Sequence, residues 1–417
     1  MTNERYHATP DQYKHQIEKS IQKALDEKRI TPNDSKIIEK FISYLSKSEI
    51  SPGRKFKLTS ILVNVRRFFD EEYRAVDEDG LAVAIERIRG AAKPDGTPYT
   101  KNTKTDYLKT TKRFFLWMHK KGFTKIPLEE ITDIKIGGYD MHTKSDDDVL
   151  SAEEINAIIS AAKTPKYKAY FGVLYEAGAR SIELANLQWK DVSFESWGVK
   201  VRLTDHKGGN TPVIRTTPIV SYGHYLSAWR AAYPGDPSGN NYVFITQAGE
   251  PLQYRGVQKA LSLFVKNAVL KGDDGKETKI TKKVSLHRFR HSRITHAIRG
   301  GMSETLAKRC FWGNAGTNMI QVYEHLTNND IEKEVFRQAG IVFDESEKLN
   351  DAPEPIQCSQ CHYTNPPGSR FCARCGMKLT AEAVKEYDDA IAFVENKFQN
   401  LSDSERFELM AELSKYK

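Results

Sequence analysis

The stretch "HRFRHSRITHAI", residues 287–298, sets histidines and arginines among apolar residues that recur at helical spacing. Phe289, Ile294 and Ala297 or Ile298 can share one face of a helix, so part of this segment is expected to be buried. A buried face beside several cations requires an anion nearby. The segment leaves two sources open, a carboxylate of the protein itself or a phosphate brought by a ligand.

The rest of the chain narrows the choice. Its 417 residues exceed what one hydrophobic core usually serves, so two or more domains are expected. No apolar run approaches the roughly 20 residues that span a bilayer. The N-terminal "MTNERYHATPDQYKHQ" is polar and lacks the apolar centre of a secretory signal, which points to the cytoplasm. A net charge of +8 permits nucleic acid as a partner without requiring it. Basic residues gather in "SPGRKFKLTSILVNVRRFF" and "TKNTKTDYLKTTKRFFLWMHKK", whereas residues 381–417 hold 9 Asp and Glu against 5 Lys and Arg.

The pattern predicts a mainly α, multidomain protein. After a flexible stretch at 1–12, residues 13–132 carry five amphipathic helical segments, "QIEKSIQKALDEK", "NDSKIIEKFISYLSKS", "RKFKLTSILVNVRRFFDEE", "DEDGLAVAIERIRGA" and "TKTDYLKTTKRFFLWMHKKG". Phe68, Phe69, Phe114, Phe115 and Trp117 are expected in the core of that bundle. Residues 133–148 lack periodicity, contain Gly-Gly and end in an acidic cluster, as an interdomain linker does. A second domain at 149–345 restarts with a capping box at Ser151 and Glu154. There "YFGVLYEAGARSIELANL" reads as helix, "GVKVRLTDH" and "TPVIRTTPI" as a hairpin, "YVFIT" as a further strand, and Tyr254 to about residue 340 as helices, a mixed α+β pattern. Cys310 reads as a small buried apolar residue.

Several residues in this second domain can carry chemistry. "GARSIELANL" places Arg180 at the start of a helix three residues before Glu183, "DHKGGN" sets Lys207 at a turn, "HRFR" puts His287 and Arg290 on one helical face, and "WGNAGTNMIQVYEH" presents Tyr323. Singly, each has a bland reading as an ion pair or as packing. In this order and at these separations they resemble the tyrosine recombinase (phage integrase) family, over residues 13–345. "GARSIELANLQWKDV" is similar to its first arginine box, "SLHRFRHSRITHAI" to its histidine and second arginine box, and "FWGNAGTNMIQVYEH" to its nucleophile box.

The resemblance implies a helical core-binding domain and a mixed catalytic domain that together clamp duplex DNA. It implies site-specific recombination or integration through a 3′-phosphotyrosyl ester on Tyr323, without ATP or a catalytic metal. Arg180 and Arg290 would grip one phosphodiester bidentately and stabilise its transition state. Lys207 would protonate the departing oxygen, His287 would assist proton transfer or bond the phosphate, and Glu183 would orient its neighbours. His291, Arg293 and His296 would be structural or touch the backbone elsewhere. Asn314 stands where the family usually has histidine or tryptophan. An amide still donates a hydrogen bond but carries no charge, and Trp312 nearby would add packing. Lys55, Arg66, Arg67, Lys112 and Arg113 are candidates for phosphate contacts. Implied partners are double-stranded attachment sites, a homotetramer on paired sites and an accessory directionality factor. Two alternatives remain: a noncatalytic DNA-binding regulator on the same fold, and a type IB topoisomerase-like activity.

The segment "CSQCHYTNPPGSRFCARCGMKL" pairs two Cys-x-x-Cys turns. Cys358, Cys361, Cys372 and Cys375 suit one tetrahedral zinc ion in a small structural ribbon at 356–380, with His362 as a bystander. Arg370, Arg374 and Lys378 would serve a DNA contact or a protein contact. The acidic tail, 381–417, reads as two amphipathic helices, the second opening with a capping box at Ser402 and Glu405.

Overall fold

A computed structural model describes residues 6, 9–48, 50–141, 148–205, 212–271, 276–323, 352–402 and 405–406. The chain divides into two compact units, one of Glu4–Thr143 and one of Lys144–Lys417 together with Met1–Asn3. Among the described residues no helix is long and apolar enough to cross a membrane.

The first unit is helical: α1 Pro10–Asp26, α2 Pro32–Leu45, α3 Pro52–Val65, α4 Glu78–Gly90, α5 Lys101–Lys120 and the short α6 Leu128–Thr132. Thr9 and Thr31 close capping boxes with Gln12 and Asp34, each followed by a proline preset for the first turn. Phe41, Phe114, Trp117, Phe69, Tyr73 and Phe115 pack ring against ring at the centre. The helix expected to continue past residue 65 stops there. Arg66 turns inward, donating Nε to Asp34 Oδ2 at 2.6 Å and Nη1 to the Phe69 carbonyl at 2.7 Å. The same buried carboxylate accepts the Tyr73 backbone N–H at 2.9 Å, so the chain must leave the helix to deliver that donor.

Two candidate phosphate contacts have partners within the bundle. Arg66 is committed to Asp34, and Lys112 donates to the carbonyls of Thr132 and Ile134. Lys55 donates to Ser46 Oγ, while Arg67 and Arg113 are exposed. The stretch read as the start of a linker lies along α5. Ile134 and Ile136 pack on the bundle core, Asn102 and Asp140 exchange two hydrogen bonds, and Tyr139 donates to Asp106. Residues 142–147 lie outside the described residues.

The second unit is built on α7 Ala152–Ser160 and α8 Pro165–Glu176, which is buried from Ala169 to Tyr175. The single helix expected through 187 is broken: α8 ends at Glu176 and a short α9 spans Ser181–Ala185. An antiparallel sheet follows in the order β1 Val192–Glu195, β2 Gly198–Asp205, β3 Val213–Ile219, with Leu203 opposite Arg215. Val199, Val201 and Leu203 alternate inward, as a half-buried strand requires. After α10 Gly223–Ala231 comes a correction. "YVFIT" forms only isolated bridges, Gln188 with Tyr242 and Ile245 with Pro251. Val243 and Phe244 plug the core while the backbone bonds Leu187 and Leu252. The long helical region resolves into α11 Tyr254–Asn267, a small hairpin of β4 Leu270–Lys271 and β5 Glu277–Thr278, α12 Leu286–Arg299 and α13 Glu304–Trp312. The expected helix at 324–340 lies outside the described residues.

A second, smaller cysteine-bearing fold closes the chain. β6 Ile356–Gln357 pairs with β7 Thr364–Asn365, and Asn365 Oδ1 accepts the Ala373 N–H at 2.9 Å, tying the two Cys-x-x-Cys turns together. Thr380 then caps α14 Ala381–Gln399. Ser402 and Glu405 exchange capping-box hydrogen bonds, and residues 407–417 lie outside the described residues.

On α12, His296 is buried and shares a 2.7 Å hydrogen bond with the Tyr175 hydroxyl. Burial, reinforced by the Arg293 charge, pushes its imidazole down to about 3. The unfolded chain therefore binds a proton that the native state refuses, and this contribution to stability is present above an unfolded pKa of roughly 6.5 and is lost as pH falls toward 3. Urea unfolding of His296→Gln is expected to show a shallower fall in stability between pH 6.5 and 4 than the parent.

Candidate active site

The α8–α9 junction builds the site. Gly178 adopts φ 52, and a Cβ at that position would lie 2.7 Å from the Phe311 ring. Only glycine allows both this backbone conformation and the approach of α13. The break restarts the helix with Arg180 at the N-cap of α9. Its backbone N–H donates to Glu183 Oε2 at 2.6 Å. Its guanidinium Nη1 donates to Asp205 Oδ2 at 2.5 Å, at the end of β2, with Glu183 Oε1 3.7 Å away.

The broken helix also leaves the Gly178 carbonyl without a helical partner, and Arg290 of α12 donates to it. Arg290 Nη2 donates to the Phe311 carbonyl at 2.7 Å, and its guanidinium carbon lies 5.3 Å from the Trp312 ring centre. Arg290 is thus buried. His287, one turn earlier, is exposed. Burial, then the charge of Arg180, pushes Arg290 down to about 10, so it remains cationic at neutral pH.

Tyr323 follows a 3-10 turn at Met319–Val322 and is 5% exposed among Ile294, Ala297, Ala307, Phe311, Trp312 and Ile320. Its ring centre lies 5.0 Å from that of His291 and 6.1 Å from that of Trp312. Burial pushes the phenol up to about 12, opposed by the charges of Arg290 and then Arg180. The fold therefore brings Arg180, Arg290 and Tyr323 into one electrostatic neighbourhood. Asn314 follows Gly313, whose left-handed backbone, φ 66, ends α13. The Asn314 Oδ1 accepts the Gly316 N–H at 2.8 Å, bracing its own turn. Lys207 lies outside the described residues. Cys310 is half-buried rather than buried.

Two residues at the site escaped the sequence reading. Arg215 on β3 donates to Glu183 Oε2 at 2.9 Å and to the carbonyls of Ala177 and Cys310 at 3.0 and 2.9 Å. Its inward position follows from strand alternation, since it shares a face with Ile219 while Ile214 points out. Asp205 carried no such signal. It lies far from Arg180 in sequence, and only sheet formation brings them together.

The four cysteine Sγ atoms lie within 4.8 Å of one another, with Cys358–Cys375 and Cys361–Cys372 each at 3.6 Å. Thiolates about 2.3 Å from a tetrahedral ion stand about 3.8 Å apart, so the four residues fit one metal ion. Backbone donation from Cys361 lowers the Cys358 thiol, as ligation requires. Arg370 pairs with Glu386, and the Lys378 ammonium lies 3.6 Å from the Tyr387 ring centre. Two of the ribbon's cations are thus engaged by α14.

Because Glu183 and Arg215 form a buried pair, removing either charge leaves the other uncompensated. Glu183→Gln and Arg215→Met are each expected to cost about 3–5 kcal/mol in urea unfolding. The double variant should cost less than the sum of the two.

The Phage integrase family model matches residues 148–330, and a zinc-ribbon domain model matches residues 357–379. Tyrosine recombinase XerD of Listeria innocua is 25% identical over 238 residues, 56% of this chain and 74% of the relative. Tyrosine recombinase XerC of Lacticaseibacillus casei is 27% identical over 186 residues, 42% of this chain and 57% of the relative. Tyrosine recombinase XerA of Pyrococcus horikoshii is 25% identical over 311 residues, 74% of this chain and 95% of the relative. The fold is similar to a lambda integrase solved bound to a core site, with a TM-score of 0.50 and 14% identity over 69% of this chain and 94% of that one. Residues 148–330 are thus similar to the phage integrase family of tyrosine recombinases, and residues 357–379 to a zinc-ribbon domain.

Proposed function

We propose that this protein is a site-specific DNA recombinase that cuts and rejoins duplex DNA through Tyr323, in the integration or excision of a mobile element. The observation that carries the reading is that Arg180 and Arg290 lie close enough to Tyr323 for both charges to act on its phenol, with Arg290 bonded to the carbonyl of Gly178 at the helix break. Two fixed guanidiniums supply positive charge where a phosphodiester gains negative charge on attack. The Tyr323 oxygen forms the new P–O bond at the 3′-phosphate, and the bond to the 5′ oxygen breaks. His287 handles the phenol proton and Lys207 protonates the 5′ oxygen, releasing a 5′-hydroxyl. Attack by a 5′-hydroxyl reverses the step, so strand exchange consumes no ATP.

A carboxylate of the chain already accepts from the guanidinium that this reading assigns to the phosphate. Asp205 holds Arg180, while Glu183 already fixes the Arg180 backbone. The scissile phosphate would displace Asp205 and draw Arg290 and Tyr323 outward. Asn314 would offer its amide N–H to a phosphate oxygen. Lys55, Arg67 and Arg113 remain candidates for backbone phosphates along the duplex. The metal of the four-cysteine site is assigned as zinc with a structural role, because four thiolates in two tight turns favour it. A homotetramer on paired attachment sites and an accessory directionality factor complete the reading, with action in the cytoplasm.

A nicked suicide duplex of attachment sequence is expected to trap a covalent protein–DNA band in detergent that Tyr323→Phe abolishes without loss of binding. Absence of the band on DNA that the protein binds would favour the noncatalytic regulator. Relaxation of supercoiled DNA by the monomer, without a paired site, would favour a type IB topoisomerase. Asp205→Asn is expected to tighten salt-sensitive duplex binding by a few-fold, within the roughly 1 kcal/mol of a partly exposed ion pair. Elemental analysis should find about one zinc per chain, lost in Cys372→Ser.

A further inference from the structure

Residues 148–150, a few positions past the boundary between the two units, are bonded at every step to α12 or to the loop before it. Asp148 pairs with Arg288. The Val149 carbonyl accepts from Lys282 Nζ at 2.8 Å. The Leu150 N–H donates to Ser292 Oγ at 2.8 Å, and that hydroxyl donates in turn to the Arg288 carbonyl at 2.9 Å. Leu150 and Ser292 are both fully buried. None of these bonds is needed to begin α7, whose first turn is closed by Ser151 and Glu154 between themselves.

We propose that residues 148–150 form a strap that sets the rotation of α12 about its axis, making Ser292 and Arg288 positioning residues for Arg290. The inference rests on the recombinase reading, in which Arg290 holds the phosphate. Arg288 and Ser292, four apart, share one face of the helix, and Arg290, two residues from each, leaves it from the opposite side. The strap thus grips the back of the helix whose front carries the guanidinium. At the front, Arg290 donates to the carbonyls of Gly178 and Phe311, and phosphate binding exchanges those bonds for phosphate oxygens. The bonds of the strap lie on the far side and are kept, so they define where the guanidinium points once its carbonyls are given up.

Magnitude shows why such a hold matters. A side-chain end about 6 Å from the helix axis moves by about 1 Å when the helix turns by about 10°. An error of about 1 Å costs up to about 100-fold in rate. Apolar contacts of α12, such as those of Phe289 and Ile294, resist such a turn poorly because apolar attraction has no direction. A hydrogen bond weakens steeply off line, so the polar strap resists it well.

Ser292→Ala removes the acceptor of the Leu150 N–H, and Ser292→Thr keeps it. Asp148→Asn weakens the other hold at a partly exposed position, so it carries the test should Ser292→Ala fold poorly. The full-length, metal-loaded chain is titrated with a nicked suicide duplex. The single-turnover rate of covalent trapping is read at saturation, beside the duplex dissociation constant and the midpoint of urea unfolding. Ser292→Ala is expected to bind within about two-fold of the parent and to trap about 10-fold more slowly or worse. Ser292→Thr should restore the rate. Asp148→Asn should show the same split, a slower rate at unchanged affinity, and the double variant should fall short of the product of the two effects, since both act on one strap. Trapping at the parental rate in both Ser292→Ala and Asp148→Asn overturns the proposal. So does a rate loss matched by an equal loss of affinity, or one that Ser292→Thr fails to reverse at a parental urea midpoint, since these mark general loosening. A parent that binds duplex without any covalent band overturns the recombinase reading itself, and the strap with it.

Discussion

The catalytic unit is organised around one charge with almost no access to water, the carboxylate of Glu183. Arg215 reaches it from β3 at 2.9 Å, and the Arg180 backbone donates to it from the start of its own short helix. Arg215 Nη1 donates to carbonyls at the end of α8 and near the end of α13. One buried cation and one buried anion therefore register four elements that are distant in sequence. A buried ion pair is seldom a net source of stability, because desolvation offsets attraction. Its value here is geometric, since any arrangement that separates the two charges leaves both without solvent or partner.

Around that fixed point the chain supplies acceptors to its own cations. Arg290 rests on two carbonyls freed by helix ends, Arg180 rests on Asp205, and the Tyr323 phenol is buried and held protonated. None of these contacts prevents binding. Each supplies a local acceptor that a phosphate, carrying full charge and several oxygens, can outcompete. The proposed nucleophile is thus stored in the same aromatic and aliphatic cluster that Phe311 and Trp312 build beside the Gly178 turn.

The C-terminal part follows another principle. The segment from Ile356 to Thr380 is too short to sustain a hydrophobic core, and Asn365 and the four thiols do the work that apolar packing does elsewhere. Metal ligation and folding are one event in such a module. It also anchors the start of α14, where Glu386 pairs with Arg370 and Ala383 is buried.

Much of the architecture was legible because it is local. The start of α7 was marked by Ser151 and its reciprocal partner Glu154, and the β2–β3 hairpin by two β-branched runs around a Gly-rich turn. The Cys-x-x-Cys spacing marked the metal site. Arg180, Glu183, Arg290 and Tyr323 were found by order and spacing, which reflect a shared chemistry rather than a visible geometry. Arg180 was read at a helix start, as "SIELA" confirms, but the apolar spacing continues across Gly178 and hides how the preceding helix ends there. That break depends on the approach of Phe311 from a helix more than a hundred residues away. Nor could the sequence show that Arg66 and Lys112 serve the bundle, or that Asp205 and Arg215 meet the site. A charge declares its type in sequence, but its partner is chosen by whichever opposite charge or carbonyl the fold carries within hydrogen-bond reach, and only tertiary structure sets that distance.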